Sequence, residues 1–118
     1  MSAEFDTMTA MELRQHIINR EISPVALTRR ALDKAEATQK TLNCFSVLAP
    51  EAALATAKSA EQAVMKGDAL GLLHGLPFSA KDLISVAGLP YMSGSRTMQA
   101  NIGTVDAPWT CHGLIPRP

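Results

Sequence analysis

The spacing of apolar positions changes character at Gly67, and the two halves predict different structure. Before Gly67 the rhythm is helical. Leu13 and Ile17 lie one turn apart on one face, and Thr9 and Glu12 have the Ser/Thr-x-x-Glu spacing of a capping box. In such a box each side chain satisfies a backbone donor that the first helical turn leaves open. A first helix is therefore expected to open at Thr9 and to stop near Arg20 and Glu21. A second should start at Ser23, a good N-cap, with Pro24 in the first helical position, where its missing N–H costs nothing. Val25, Leu27, Ala31, Leu32 and Ala35 form its apolar stripe, while Arg29, Arg30, Asp33 and Lys34 lie mostly off it. "NCFSVLA", Asn43 to Ala49, is short and rich in β-formers and predicts a strand. Pro50 and Glu51 then open an alanine-rich helix that runs to about Lys66, with Gly67 as its stop.

After Gly67 the chain is rich in turns. Residues 67–108 hold six of the seven glycines and three of the seven prolines, with apolar residues continuing between them. Strand pieces are expected at Pro77–Lys81 and Leu83–Val86. A loop-rich region on a rigid scaffold is where function often sits. No internal repeat is present.

Composition narrows the classes. The chain has 118 residues, 47% of them hydrophobic and 19% charged, which suits one small globular domain. Eleven Lys and Arg balance eleven Asp and Glu, so there is no basic field for nucleic acid and no polybasic membrane anchor. Aromatic content of 4% also argues against base stacking. Cys44 and Cys111 are far apart and form no disulfide framework or metal pair. The first residues carry Glu4, Asp6 and Glu12 where a signal peptide needs positive charge, and no apolar run approaches a membrane span. A cytoplasmic location with reduced thiols is expected.

The candidate chemistry centres on "HGLPFSAKDL", His74 to Leu83. Lys81 has two readings. In one it is a strand-end lysine paired with Asp82 in solvent, and on the residues alone this reading carries the greater weight. In the other it is a buried lysine whose ammonium gives up its proton easily and acts as a general base. Other candidates are weaker. Ser93 lacks the G-x-S-x-G of a nucleophile elbow, and Ser93 to Ser95 reads as a tight turn. Gly71 and Gly75 lack the partners of a phosphate loop. His16, His74 and His112 have no metal-ligand spacing, His16 being most simply a boundary residue of the first helix. Cys111 beside His112 is adjacency and not a dyad, and no pair of carboxylates stands out.

The segment "LLHGLPFSAKDLISVAGLPYMSGS" closely resembles the lysine-bearing stretch of the amidase signature family. That stretch commonly reads G-P-L-H-G-[IL]-P-x-x-x-K-D, followed after a short interval by A-G-[LM]-P-x-x-x-G-S. Leu73, His74, Gly75, Leu76, Pro77, Lys81 and Asp82 match the first part, and Ala87, Gly88, Leu89, Pro90, Gly94 and Ser95 the second. Leu72 replaces the usual proline. The upstream helices and "NCFSVLA" also look like the family's opening elements, so the resemblance covers about residues 8–108. Members of the family are normally several times longer.

The resemblance implies an α/β fold: N-terminal helices plus the first strands of a mixed sheet, incomplete here. It implies cleavage of a carboxamide C–N bond by a Ser–Ser–Lys triad, with no metal and no organic cofactor and a small-molecule amide as the partner. In that triad one serine attacks the carbonyl. A second, in a cis peptide, bridges it to a lysine that is neutral at rest. Backbone N–H groups of a Gly/Ser-rich loop hold the oxyanion. Lys81 matches the lysine as general base, Asp82 is expected to orient the turn or the strand end and not to do chemistry, and Gly94 and Ser95 fall at the substrate-binding turn. Both triad serines and the oxyanion loop lie in a G-G-S-S-G-G-type segment that this sequence does not contain. Residues 1–108 therefore read as the N-terminal part of an amidase-signature domain. The last residues, "WTCHGLIPRP", 109–118, read as an atypical tail. A broken reading frame, a premature stop or excision from a longer protein would each produce that pattern. Two further readings stand beside this one. The first is a non-catalytic remnant that binds a partner or itself through an exposed sheet edge. The second is part of the glutaminase-type A subunit of a tRNA-dependent amidotransferase.

Overall fold

The computed structural model of the chain describes residues 4–108. It places a short 3-10 turn at Glu4–Asp6, then α1 (Ala10–Ile18), α2 (Pro24–Leu42) and α3 (Pro50–Lys66), and a second 3-10 turn at Arg96–Met98. Each helix begins where the local chemistry predicts. Thr9 and Glu12 close the capping box: Glu12 N–H donates to Thr9 Oγ1 (3.3 Å), and Thr9 N–H donates to Glu12 Oε2 (2.7 Å). Ser23 Oγ accepts from the N–H groups of Val25 and Ala26 at 3.1 and 3.2 Å. Gly67, at φ 78°, ends α3 with its own N–H on Val64 O and that of Asp68 on Ala63 O, the Schellman pattern.

The helices share one small core. Ile17, Ile22, Leu27 and Val64 are buried, with Phe5, Met8, Leu13, Leu70 and Leu76 packed against them. Two polar devices fix the helices to one another. The Ser23 hydroxyl that caps α2 also donates to Glu61 Oε1 on α3. Arg20, at φ 63°, reaches α3 with its guanidinium and donates to the carbonyls of Val64 and Met65 at 3.4 and 3.3 Å. Both carbonyls belong to the last turn of α3, where the regular helical bonding runs out, and Val64 O also accepts from Gly67 N–H. Asp6 straps the N-terminal turn to α2, accepting from Arg30 Nη2 and Lys34 Nζ, each at 2.6 Å.

The expected strands are not there. Among the described residues no strand forms at Asn43–Ala49, Pro77–Lys81 or Leu83–Val86, and the nearest approach is one antiparallel bridge between Pro90 and Ile102. The described protein is three helices and an irregular arm, and the α/β expectation is corrected to that extent. The cause is the absence of neighbours. A strand exists only through the ladder it makes with another. Phe45 shows this: its N–H and C=O are both taken by the side-chain amide of Gln39, at 2.8 and 3.0 Å, in place of a second strand. The residues from Trp109 onward, including Cys111 and His112, lie outside the described residues.

Candidate functional site

The arm that carries Lys81 starts from a firm anchor. His74 is only 5% exposed, and its Nε2 lies 2.9 Å from the carbonyl oxygen of Ala60 on α3. A carbonyl can only accept, so Nε2 carries the proton in this contact. Gly75 follows at φ 77°, and a Cβ there would stand 3.1 Å from Pro24 Cγ and 3.3 Å from Ile17 Cδ1. Glycine meets both demands, the left-handed backbone and the close approach to the core. Arg14 Nε adds a bond to Gly71 O at 3.2 Å. The histidine and glycine that open the sequence motif thus seat the arm on the helices.

Beyond the anchor, residues 77–81 are exposed. Lys81 is not buried, which corrects one half of its base reading. The other reading fails too: Asp82 does not pair with it. Asp82 Oδ1 accepts from Met92 N–H at 2.9 Å, Oδ2 accepts from Gly94 N–H at 3.0 Å, and the Asp82 carbonyl accepts from Ser93 N–H at 3.3 Å. The N–H of Met92, then that of Gly94, hold the carboxyl below its ordinary pKa. Lys81 Nζ has no hydrogen-bond or ion-pair partner among the described residues. Of the two expected roles for Asp82, the turn or the strand end, the contacts are those of the turn, and the lysine is left free.

The turn that Asp82 clips runs Met92–Ser95. Ser93 and Gly94 have φ of 50° and 70°, and Ser95 N–H bonds back to Met92 O at 2.9 Å. Positive φ at both central residues belongs to the I′ turn family. The N–H groups of Gly94 and Ser95 are thus used internally, and the Ser95 hydroxyl lies 2.7 Å from that of Thr97. Among the described residues no base stands within hydrogen-bond reach of Ser93 or Ser95.

Residues 84–108 close on themselves through contacts that no sequence pattern marks. Ser85 Oγ donates to Val105 O at 2.6 Å, and Ala87 N–H donates to Asp106 Oδ1 at 2.8 Å. Gly88 N–H donates to Gly103 O, and Gly103 N–H to Leu89 O, both at 2.9 Å, beside the Pro90–Ile102 bridge. Gly103 is buried. A Cβ there would collide with the carbonyl oxygen of Val86 and stand 2.8 Å from Ser85 Oγ. An isolated glycine in an apolar run was the one available signal of that close approach. Among the described residues no group of three or more His, Cys, Asp or Glu could hold a metal, and no helix is long and apolar enough to cross a membrane.

Known proteins resemble this chain. The family model described as "Amidase" matches residues 26–111. The A subunit of the glutamyl-tRNA(Gln) amidotransferase of Clostridium kluyveri is 36% identical over 101 residues, covering 86% of this chain and 20% of the relative. Its counterpart in Streptococcus thermophilus is 38% identical over 95 residues, covering 80% and 19%. The chain thus spans about a fifth of the length of these curated relatives. One solved structure, reported as "An unexpected vestigial protein complex reveals the evolutionary origins of an s-triazine catabolic enzyme", superposes with a TM-score of 0.81 at 25% identity. The superposition covers 92% of this chain and 25% of that one.

Proposed function

The chain belongs to the amidase family, and we propose that it is the lysine-bearing opening part of an amidase domain, with Lys81 the general base of a Ser–Ser–Lys triad. The observation that carries this reading is the division of labour between Lys81 and Asp82. The carboxylate is used up on backbone N–H groups, and the adjacent Lys81 amino group is left unpaired on an arm seated by His74 and Gly75. In the proposed reaction a serine hydroxyl adds to the carboxamide carbon, and its proton passes through the bridging serine to Lys81 Nζ. Collapse of the tetrahedral adduct breaks the C–N bond, and the proton held by the lysine goes to the leaving amine. Water then hydrolyses the acyl-serine to a carboxylic acid. Gly94 and Ser95 enter as residues that shape the turn beside the substrate, since their N–H groups already have partners. No metal or organic cofactor is needed, and the setting is cytoplasmic.

No serine of these 118 residues stands in the triad context, so the chain by itself is expected not to turn over amides. Enzyme-dependent ammonia release, or labelling of one serine by a fluorophosphonate, would overturn that. A second reading is favoured by the curated relatives, which are amidotransferase A subunits. In it, the same lysine serves release of ammonia from an amide donor for transfer. Both readings share one test: Lys81→Ala and Lys81→Arg in a chain carrying the serine-bearing segment. Each is expected to lower amide hydrolysis by roughly 10³-fold or more with the melt retained. Arginine stays protonated and cannot take the serine's proton. Near-normal activity of Lys81→Arg would return Lys81 to a surface lysine.

A further inference from the structure

Lys81 opens a tight turn whose far end is tied to a distant segment. The Lys81 carbonyl accepts from Ile84 N–H at 2.8 Å. Ser85 comes next, and both of its oxygens are engaged. Its hydroxyl donates to Val105 O at 2.6 Å, and its carbonyl accepts from Ala107 N–H at 2.9 Å. Val105 stands 20 residues further along the chain, so the hydroxyl bond is tertiary and no part of a local turn. The fit around it is close. Ser85 is half-buried, and the returning segment passes so near that a Cβ on Gly103 would stand 2.8 Å from Ser85 Oγ. A serine hydroxyl has one hydrogen to donate. Here it goes to a carbonyl, which places Ser85 to hold backbone and not to attack a substrate.

The Lys81–Ile84 turn is thus held from two directions. Asp82 ties it to the Met92–Gly94 turn, and Ser85 ties it to Val105 and Ala107. A lysine side chain is a flexible four-carbon stem, so the reach of its nitrogen is defined only from a fixed Cα. A base must come within about 2.6–3.2 Å of the group whose proton it takes, and a misplacement of about 1 Å costs on the order of 10²-fold. We infer that Ser85 is a positioning residue for amide cleavage. Its hydroxyl, through Val105 O, fixes the C-terminal end of the Lys81 turn and with it the place of Nζ. Ser85 lies between the two matched parts of the family pattern, at a position that neither part specifies. The inference rests on the reading of Lys81 as the general base.

The first measurement uses the 118-residue chain. Ser85→Ala should shift the amide signals of Lys81, Asp82 and Ile84 and speed hydrogen exchange at the Ile84 amide by roughly tenfold or more, with the melt retained. Ser85→Thr keeps the hydroxyl and should restore both. Ser59→Ala removes a hydroxyl-to-carbonyl bond of the same kind inside α3, at 3.3 Å, and should leave these signals in place. The second measurement uses the chain carrying the serine-bearing segment. There Ser85→Ala should lower kcat for an amide by roughly tenfold or more and leave KM within about twofold, and Ser85→Thr should recover most of the loss. Unchanged exchange at Ile84, or an equal fall in kcat for the threonine variant, would overturn the proposal. Loss of the cooperative melt in Ser85→Ala would also overturn it, by making Ser85 a folding residue. A normal kcat in Ser85→Ala beside an inactive Lys81→Ala sinks the positioning role alone. An active Lys81→Ala sinks the general-base reading and this inference with it.

Discussion

Asp82 is tied to its turn through the ionised form of its carboxyl, and this gives the arm a defined response to acid. Two backbone N–H groups bond the carboxylate and hold its pKa below the ordinary carboxylate range. Folding therefore favours ionisation. The contribution is complete above the unfolded carboxyl's pKa, about 3.9, and is lost as pH falls through the lower folded-state value. The amide proton signals of Met92 and Gly94 should move together in that acid window and stay constant from there to neutrality. Asp82→Asn should displace the Gly94 signal at neutral pH, because its NH2 would face an N–H that needs an acceptor. Unmoved signals in both experiments would show that the turn holds itself. The orienting role of Asp82 was legible in the sequence, since the motif places a carboxylate a fixed distance before a Gly-Ser turn. The anchoring role of His74 was not, because its partner is the main-chain carbonyl of Ala60, and a carbonyl leaves no mark on a sequence pattern.

The elements divide in the same way. All three helices were legible because their start signals are local: Thr9 and Ser23 cap α1 and α2 through bonds within three residues, and α3, which has no side-chain cap, opens at Pro50. Ser23 does more than the pattern shows, because its hydroxyl also donates to Glu61 across the helix pair. Ser23→Ala should therefore cost about 1–2 kcal/mol, against nearer ~0.5–1 kcal/mol for Thr9→Ala, whose box is solvent-exposed. Urea melts of the two variants check the order, and equal losses would mean that the Glu61 contact is worth nothing. The strands were misjudged because a strand's partner lies far off in sequence, and here none is among the described residues. The strap from Asp6 to α2 was likewise invisible. Arg30, and then Lys34, hold the Asp6 carboxyl down from 3.8 to about 2. Asp6→Asn should consequently lower the melting temperature at neutral pH and make little difference at pH about 2, where the wild-type carboxyl is itself protonating. A gap between the two proteins that persists unchanged into that acid range would argue against the ion pair.

At the scale of the whole molecule the core is thin for the length of chain it supports. The radius of gyration is 15.0 Å, whereas a compact domain of this size has about 13 Å. The excess belongs with an arm that leaves its large side chains in solvent. Among the described residues only Ile17, of the large side chains, is almost fully enclosed, at 1% exposure. It sits where helices and arm meet: its side chain lies under Gly75, and it packs with Ile22, Leu27 and Val64. Loss of that side chain removes buried apolar area and leaves a cavity at this junction. Ile17→Ala should cost about 2–5 kcal/mol, a large share of the roughly 5–15 kcal/mol that an ordinary domain has in all. The chain alone has less core than an ordinary domain, so the variant should be largely unfolded at room temperature. The wild-type chain should melt broadly and self-associate in sedimentation as its concentration rises. If Ile17→Ala kept a sharp, cooperative melt and a monomeric sedimentation profile, the helices would not depend on this junction. The arm's exposed side chains would then be an ordinary surface.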